Sequence, residues 1–435
     1  MYKEVSKLLL YSNIGPDSIL TNLCDIFKSF EEKSEDKDTL VHKIYVEMKR
    51  LLDLATQYGF DTNLWHNYLT FLLITNENSF TLTCERQGAT DGGSVNAFAK
   101  NDFSVFMRLF HFDFAPIEKA LGIDCFSVIT NYKAIAKREK LYNKNVSEKV
   151  QTLSKNLANA KTEDEFFALV TELYKNYGVG MFGLNPAFRI KTVNGNLEFC
   201  PINNADKIRL SDLVGYEYQK KQLTDNTKAF IDGKPANNAL LYGDSGTGKS
   251  SSIKAVLNEY YDSGLRMIEI YKHQFSELSA VISHIKNRNY RFIIYIDDLS
   301  FEDHEIEYKF LKAVIEGGVE SKPENILIYA TSNRRHLIKE TWNDRNDMEH
   351  NGEIHRSDTI EEKLSLSSRF GVLINYSSPD KQEFNEIVKT LARREGITLD
   401  DETLCHEANK WEMRHGGVSG RTARQFINYL LGVEE

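Results

Sequence analysis

A glycine-rich run at residues 243–250 constrains the fold of this chain more than any other part of the sequence. It fits the phosphate-binding pattern G-x-x-x-x-G-K-S/T at every fixed position. An apolar run, 239–242, precedes it as a predicted strand, and a helical pattern over 251–260 follows it. This order of strand, loop and helix turns backbone N–H groups and a helix N-terminus toward one point, where they bind a phosphate. The run consists of Gly243, Asp244, Ser245, Gly246, Thr247, Gly248, Lys249 and Ser250.

Two side chains of this run have chemical roles in a phosphate site. The ammonium of Lys249 reaches the outer phosphates of a nucleoside triphosphate as a point charge. The hydroxyl of Ser250 is an oxygen ligand of the kind that Mg²⁺ accepts. We therefore expect a nucleoside triphosphate and Mg²⁺ at this loop, and a ligand-free glycine turn is the alternative.

A second motif, which is acidic, follows another predicted strand. The apolar run 292–296 is followed directly by Asp297 and Asp298. Phosphoryl transfer needs one carboxylate beside the Mg²⁺ shell and another group that orients or deprotonates the attacking water. We expect Asp297 in the first role and Asp298 in the second, with capping of the next turn as the alternative. Glu302 lies beyond the strand, which favours a surface or helix-start role for its carboxylate.

The spacing of apolar residues divides the chain into segments of different character. Residues 1–177 show mainly helical spacing and predict a helical N-terminal domain, in which the aromatic residues are expected in the core. Glycines and prolines make 178–205 a predicted connector. From 206 to 376 strands alternate with helices, which predicts an α/β core with a parallel sheet. Residues 377–435 are predicted to form a helical lid.

The boundaries of single elements follow from local signals. Ser378 and Pro379 predict the start of the first lid helix, and Gly396 predicts its end. The predicted strands of the core are 239–242, 267–271, 292–296, 326–330 and 372–376.

Composition narrows the classes of protein to consider. With 435 residues, the chain is long enough for two or three domains. Its net charge of −9 argues against broad electrostatic attraction to nucleic acid or to an anionic membrane. Five scattered cysteines without C-x-x-C spacing favour reduced thiols over disulfides or a zinc site. We expect a cytoplasmic protein, because the sequence has neither a basic leader nor a run of about 20 apolar residues.

The phosphate loop, the strand that ends in Asp297 and Asp298, and a further strand that ends in Asn333 together resemble the AAA+ ATPase superfamily. The resemblance covers residues 206 to 435 and is nearest to a bacterial family of predicted AAA+ ATPases of unknown function. It implies an α/β P-loop core, ATP as the nucleotide, Mg²⁺ as the metal, and Asn333 as a contact of the γ-phosphate or the water. The superfamily usually has Glu where this chain has Asp298, and the shorter side chain implies slow hydrolysis.

The resemblance also assigns residues that lie far from the loop in sequence. Gly215 and Tyr216 fall in a segment, 212–216, that is similar to the one that wraps the adenine. Arg421, after a Ser-Gly pair, matches the lid residue that contacts the γ-phosphate. Arg424, one helical turn later, is its rival for that role.

An arginine finger is the third element that the resemblance implies. Arg369, in the run 365–370, resembles the residue that reaches the nucleotide of a neighbouring subunit, and this implies a homo-oligomer. A simple ion pair is the alternative role for Arg369. Arg334 and Arg335 are rival interface residues, because they directly follow Asn333.

The leading functional hypothesis is an oligomeric ATPase that remodels or regulates an unidentified protein client. A nucleic-acid-associated loader is a second hypothesis, supported by the basic stretch 133–144 and weakened by the net charge of −9. A non-hydrolysing ATP-dependent switch is a third, because of the short side chain of Asp298.

The polar segment 342–362 contains His350 and His355 without compact metal-site spacing, and we interpret it as a solvated insertion.

Overall fold

The structure of the protein is a computed structural model, which describes residues 1–89, 93–134, 144–203, 206–302, 305–316, 323–333, 337 and 366–433. The chain separates into two compact units. The first comprises 1–185 with 201–204, and the second comprises 186–200 with 205–435. None of the helices in the described residues has the length and apolar character that crossing a membrane requires.

The first unit is built from helices. Polar side chains fix several of their starts: Ser18, Asp36 and Thr162 each accept a hydrogen bond from a backbone N–H of the first turn that follows. Thr162 divides the predicted helical stretch 146–177 into two helices. The helices are α1 Tyr2–Val5, α2 Ile19–Glu32, α3 Lys37–Tyr58, α4 Leu64–Thr75, α5 Ser79–Gln87, α6 Ser94–Phe110, α7 Ala115–Leu121, α8 Cys125–Thr130, α9 Lys144–Asn159, α10 Glu163–Tyr177 and α11 Gly180–Leu184.

Aromatic side chains fill the core of the first unit. Phe103 and Phe106 are fully buried, and the ring of Phe114 stacks on Phe126 with centroids 4.4 Å apart. This burial confirms the core role expected for the aromatic residues of this half. Cys24 and Cys84 are also buried and unpaired, like small apolar residues.

Asp102 ties the start of the chain to α6. Its fully buried carboxylate accepts hydrogen bonds of 2.8 to 3.1 Å from the backbone N–H groups of Leu9, Leu10 and Tyr11. A buried carboxylate is tolerable only when its oxygens are satisfied, and here three consecutive amides satisfy them.

Most of the segment 178–205, which the sequence analysis interprets as a connector, is regular structure. Helix α11 occupies its start, and two strands follow on either side of a turn at Asn194 and Gly195. Both turn residues have positive φ, +51° and +79°, which suits a tight hairpin. Residues Ala187 to Arg189 then pair in parallel with Met267 to Glu269, so the hairpin extends the sheet of the second unit.

The second unit contains one seven-stranded sheet in the order β2-β1-β4-β5-β6-β3-β7. From β1 to β7 across the sheet, neighbouring strands are parallel. The central strands are buried along nearly their whole length, as in sheets that helices cover on both faces. The predicted α/β fold with a parallel sheet is confirmed. The strands are β1 Ala187–Val193, β2 Asn196–Pro201, β3 Ala239–Gly243, β4 Leu265–Glu269, β5 Arg291–Ile296, β6 Ile326–Ser332 and β7 Val372–Tyr376.

Helices surround this sheet and form the C-terminal lid. The first lid helix begins at N-cap Asp380 and not at Ser378 as predicted, because Asp380 and Glu383 cap each other's backbone N–H groups. Gly396 ends this helix at φ +75°, as predicted. The helices are α12 Glu217–Ile231, α13 Lys249–Tyr260, α14 Leu278–Ile285, α15 Glu307–Glu316, α16 Lys381–Glu395, α17 Asp401–Arg414 and α18 Gly420–Val433, with short 3₁₀ turns at Leu210–Asp212 and Lys272–Glu277.

Candidate nucleotide-binding site

The loop between β3 and α13 takes a shape that only glycine permits at two points. Gly243 has φ +129°, and a Cβ atom there would lie 2.2 Å from the carbonyl oxygen of Tyr376. Gly248, the N-cap of α13, has φ +96°. Only glycine adopts these left-handed conformations without a steric penalty, and they allow the backbone N–H groups to surround an anion.

Lys249 is the first residue of α13 and is buried. Its Nζ donates hydrogen bonds to the carbonyl oxygens of Gly243 at 2.9 Å and of Asp244 at 2.5 Å. Burial lowers the pKa of this ammonium, against the opposing effect of Asp244, Asp298 and Asp297. The two carbonyl oxygens hold the Lys249 ammonium at the base of the loop. A negatively charged phosphate oxygen is a stronger hydrogen-bond acceptor for this ammonium than a neutral carbonyl oxygen.

Ser250 and Asp297 form a pair of oxygen ligands. The Ser250 hydroxyl donates to Oδ1 of Asp297 at 2.7 Å, and the Thr331 hydroxyl donates to the same oxygen at 2.6 Å. Desolvation alone would raise the pKa of the Asp297 carboxyl, but neighbouring hydroxyl groups, first that of Thr331, outweigh it and hold the pKa below its ordinary value. An ionised carboxylate beside a serine hydroxyl is a donor set that fits Mg²⁺.

Asp298 is held at two points. Its backbone N–H donates to the Thr331 hydroxyl at 3.0 Å, and its carboxylate accepts a 2.9 Å hydrogen bond from the side-chain amide of Asn333. Its φ is +51°, an uncommon conformation for a residue with a side chain. Thr331, which the sequence analysis did not single out, thus links the two aspartates.

These groups surround a cavity of about 990 Å³. They lie at the carboxyl ends of β3, β5 and β6, where open α/β sheets bind ligands. The cavity brings together ten residues predicted from the sequence: Ser245, Gly246, Thr247, Gly248, Lys249, Ser250, Asp297, Asp298, Asn333 and Arg421. Leu213 and Val214, from the segment 212–216 that is expected at the adenine, line it as well. Further lining residues were not predicted from the sequence, among them Asp206, Ile208, Ile387, Leu391 and Arg394.

A family model described as "Protein of unknown function (DUF815)" matches residues 184–434, more than half of the chain. The chain belongs to the DUF815 family. The match covers the loop, the two aspartates and the lid. The expected membership of a family of unknown function is confirmed, and the parallel sheet with its loop between β3 and α13 confirms the expected α/β P-loop fold.

Individual relatives of this DUF815 chain are distant or partial. The replication factor C large subunit of Staphylothermus marinus is 37% identical over 68 residues, and the match spans 15% of each protein's length. Among solved structures, a mutant of RuvB from Thermotoga maritima is 16% identical, with a TM-score of 0.37 over 52% of this chain and 65% of that one. The RuvB Holliday junction branch migration motor of the same organism is 14% identical, with a TM-score of 0.33 over 51% of this chain and 72% of that one.

Four predicted binding residues of the DUF815 chain lie outside the lining of the cavity. Gly215 lines a smaller neighbouring cavity, and Tyr216 turns its hydroxyl to the carbonyl oxygen of Ser377 at 2.9 Å. The preceding Leu213 and Val214 line the main cavity instead. The segment 212–216 thus reaches the main cavity through its first residues, and the chain bends away at Gly215 with φ +78°. The contact of Gly215 and Tyr216 with the base stays a prediction.

Gly243 and Asp244 are the other two predicted binding residues that do not line the cavity, and both make hydrogen bonds that stabilise the loop. The carbonyl oxygens of both accept from Lys249, and Oδ2 of Asp244 accepts from the backbone N–H of Ser378 at 2.7 Å. This last hydrogen bond holds the pKa of the Asp244 carboxyl below its ordinary value. Asp244 thus fastens the phosphate loop to the segment that leads into the lid.

The lid contributes three arginines with different partners. Arg421 lies closest to the loop: its backbone N–H donates to the Gly246 carbonyl oxygen at 3.1 Å, and its guanidinium is 3.5 Å from the Ser245 hydroxyl. Its rival Arg424 donates to Glu395 at 2.6 Å. Arg394 donates to the carbonyl oxygens of Ser211 and Asp212, both at 2.8 Å. No sequence signal distinguishes Arg394 from the adjacent arginine.

Arg369 lies away from the cavity lining of its own chain and forms an ion pair with Glu316 of α15. A finger acts on a neighbouring subunit's site, so its role there stays a prediction. The rivals Arg334 and Arg335, the insertion 342–362 and most of the basic stretch 133–144 lie outside the described residues.

Proposed function

We propose that this chain binds ATP with Mg²⁺ in the cavity between the loop 243–250 and the lid, hydrolyses it at a site shared between subunits, and thereby remodels or regulates a protein partner. The observation that carries the proposal is the convergence of Lys249, Ser250, Asp297 and Asp298 on one cavity, with Arg421 facing them from the lid. In this arrangement the two cationic side chains neutralise a polyphosphate, and the two carboxylates bind the metal and orient the water.

Each residue has one task in this proposal. Lys249 exchanges its carbonyl partners for phosphate oxygens, and the backbone of the loop holds the remaining charge. Ser250 and Asp297 would hold Mg²⁺, which when bound neutralises charge on the outer phosphates. Asp298 orients the attacking water or accepts its proton, and Asn333 fixes the direction of its carboxylate. Arg421 stabilises charge that develops at the γ-phosphate.

The walls around the base and sugar come from two parts of the second unit. Ile208, Leu213 and Val214 precede the core, and Ile387 and Leu391 belong to helix α16 of the lid. A flat apolar base suits such walls, as in other nucleotide cavities. Because nucleotide would contact both parts, binding and hydrolysis can change the angle of the lid, and this supports the remodelling role.

Thermal unfolding and phosphate release together test the proposal. ATP with Mg²⁺ at a hundredfold excess over Kd should stabilise the wild type by about 2.7 kcal/mol. Lys249→Ala should abolish this stabilisation, whereas Lys234→Ala, at an exposed position after α12, should keep it. Asp298→Asn should keep ATP binding and lose phosphate release. Binding without any turnover in the wild type would favour the ATP-dependent switch, and no stabilisation at millimolar ATP would contradict the proposal.

A further inference from the structure

Tyr295 is a buried polar residue to which the proposed mechanism gives no task. It lies in β5, two residues before Asp297, so the two side chains project to the same face of the sheet. Its side chain is 1% exposed, and its hydroxyl makes no hydrogen bond with any group in the described part of the chain. A buried hydroxyl without a partner destabilises the state in which it is found.

Other tyrosines in the same sheet have their hydroxyl groups satisfied. Tyr329, the register partner of Tyr295 on β6, meets the hydroxyl of Thr227 at 2.8 Å and the amide of Asn226 at 2.9 Å. Tyr376 donates to the hydroxyl of Ser252 at 3.0 Å. The unsatisfied group of Tyr295 is therefore specific to its position and is not a general property of tyrosines in these strands.

The unsatisfied hydroxyl faces the expected metal ligands. It lies close enough to Asp297 to help lower the pKa of that carboxyl, and it is near Ser250 as well, but it falls short of hydrogen-bond geometry with either group. The hydrogen bonds from Ser250 and Thr331 both reach Oδ1 of Asp297. An ionised carboxylate accepts about four hydrogen bonds, so Asp297 retains capacity for a further donor.

We propose that Tyr295 is a positioning residue of the ATP–Mg²⁺ site: in the loaded state its hydroxyl donates to Asp297 and fixes the carboxylate in the orientation that the metal requires. This inference rests on the proposed function. Groups that hydrogen-bond to metal ligands orient them, and their loss typically reduces metal affinity by about 10- to 100-fold. The unsatisfied hydroxyl of the unloaded protein then has a purpose, because it gains its hydrogen bond when the Asp297 carboxylate takes the orientation that the metal requires.

Thermal unfolding of Tyr295→Phe, titrated with Mg²⁺ at saturating ATP, tests this inference. Without nucleotide, Tyr295→Phe should unfold at the wild-type temperature or above it, because the substitution removes an unsatisfied hydroxyl. The Mg²⁺ concentration for half-maximal stabilisation should rise about tenfold. Binding of ATP in EDTA should stay unchanged. In the background of Asp297→Asn, the tyrosine substitution should add little, because its effect passes through that carboxylate.

Tyr329→Phe is the matched control, since it removes the hydroxyl of the register partner. It should lower the unfolding temperature, because it breaks two hydrogen bonds, and leave the Mg²⁺ requirement unchanged. An unaltered Mg²⁺ requirement in Tyr295→Phe would overturn the inference and leave the proposed function standing. A wild type that ATP with Mg²⁺ does not stabilise would overturn both.

Discussion

The side-chain amide of Asn333 donates a 2.9 Å hydrogen bond to the carboxylate of Asp298. Asn333 follows β6 and Asp298 follows the adjacent strand β5, and the hydroxyl of Thr331 accepts a hydrogen bond from the backbone N–H of Asp298. Asp298 has a shorter side chain than glutamate, so the position of its carboxylate depends strongly on its backbone and on this amide. Asn333 therefore orients the Asp298 carboxylate, whether or not it also makes the predicted contact with the γ-phosphate.

Asn333→Ala should leave ATP affinity nearly unchanged and reduce hydrolysis by about 10²-fold, because the carboxylate loses its fixed direction. Phosphate release under saturating ATP measures the effect. If Asn333 acts through Asp298, the double variant with Asp298→Asn should be no slower than Asp298→Asn alone. Independent, multiplying losses would instead assign Asn333 to the phosphate only.

Arg394 connects the lid to the segment before the core. Its guanidinium donates to the carbonyl oxygens of Ser211 and Asp212, directly before Leu213 and Val214, which line the cavity. Arg394→Ala should weaken ATP binding about tenfold, because two charge-assisted hydrogen bonds are lost. Arg393→Ala is the matched control: Arg393 pairs with Asp401 on the surface at 3.0 Å, and its loss should leave affinity unchanged. Equal effects of the two variants, measured by calorimetry, would contradict this role.

His66 makes the stability of the first unit depend on pH. Its Nε2–H donates to the carbonyl oxygen of Phe110 at 2.7 Å, and burial lowers its pKa below the ordinary 6.5. The unfolded chain then binds more protons than the folded one between pH 6.5 and the lowered value, so stability falls as the pH falls through this window.

In His66→Gln, which retains a hydrogen-bond donor, this dependence of stability on pH should be reduced. Hydrogen exchange of the α4 amides measures it, with His42→Gln at an exposed site of α3 as the control. The same pH slope in both variants would disprove the assignment.

The convergence of the candidate site residues on one cavity was predictable because they belong to short, contiguous motifs. Residues 243–250 contain the glycines, the lysine and the serine in one run, and Asp297 and Asp298 directly follow an apolar strand. Parallel strands bring their carboxyl ends to one edge of a sheet, so separate motifs at strand ends, including Asn333, were expected to meet there.

Contacts between distant segments were not predictable in this way. Arg394 is distinguished from Arg393 only by the direction in which helix α16 presents it to the carbonyl oxygens of Ser211 and Asp212. The strands within 178–205 were not predicted, because the glycines and prolines of this segment signal turns and do not reveal that the intervening residues join a sheet edge. Pairing with β4 is a tertiary effect that local spacing does not record.

The last prediction concerns Arg369, whose guanidinium pairs with Glu316 in the same chain. An arginine that neutralises charge in the transition state increases phosphoryl transfer by about 10³- to 10⁵-fold in other enzymes. If Arg369 supplies this charge to a neighbour, hydrolysis per subunit should rise with protein concentration, and Arg369→Ala should bind ATP without turning it over. Glu316→Gln breaks the same ion pair but keeps the arginine, so it should retain hydrolysis. Mixing Arg369→Ala with Lys249→Ala should restore part of the activity, because an intact loop of one variant then meets the intact arginine of the other. Equal losses in Arg369→Ala and Glu316→Gln, without rescue in the mixture, would make the residue a structural ion-pair partner within its own chain.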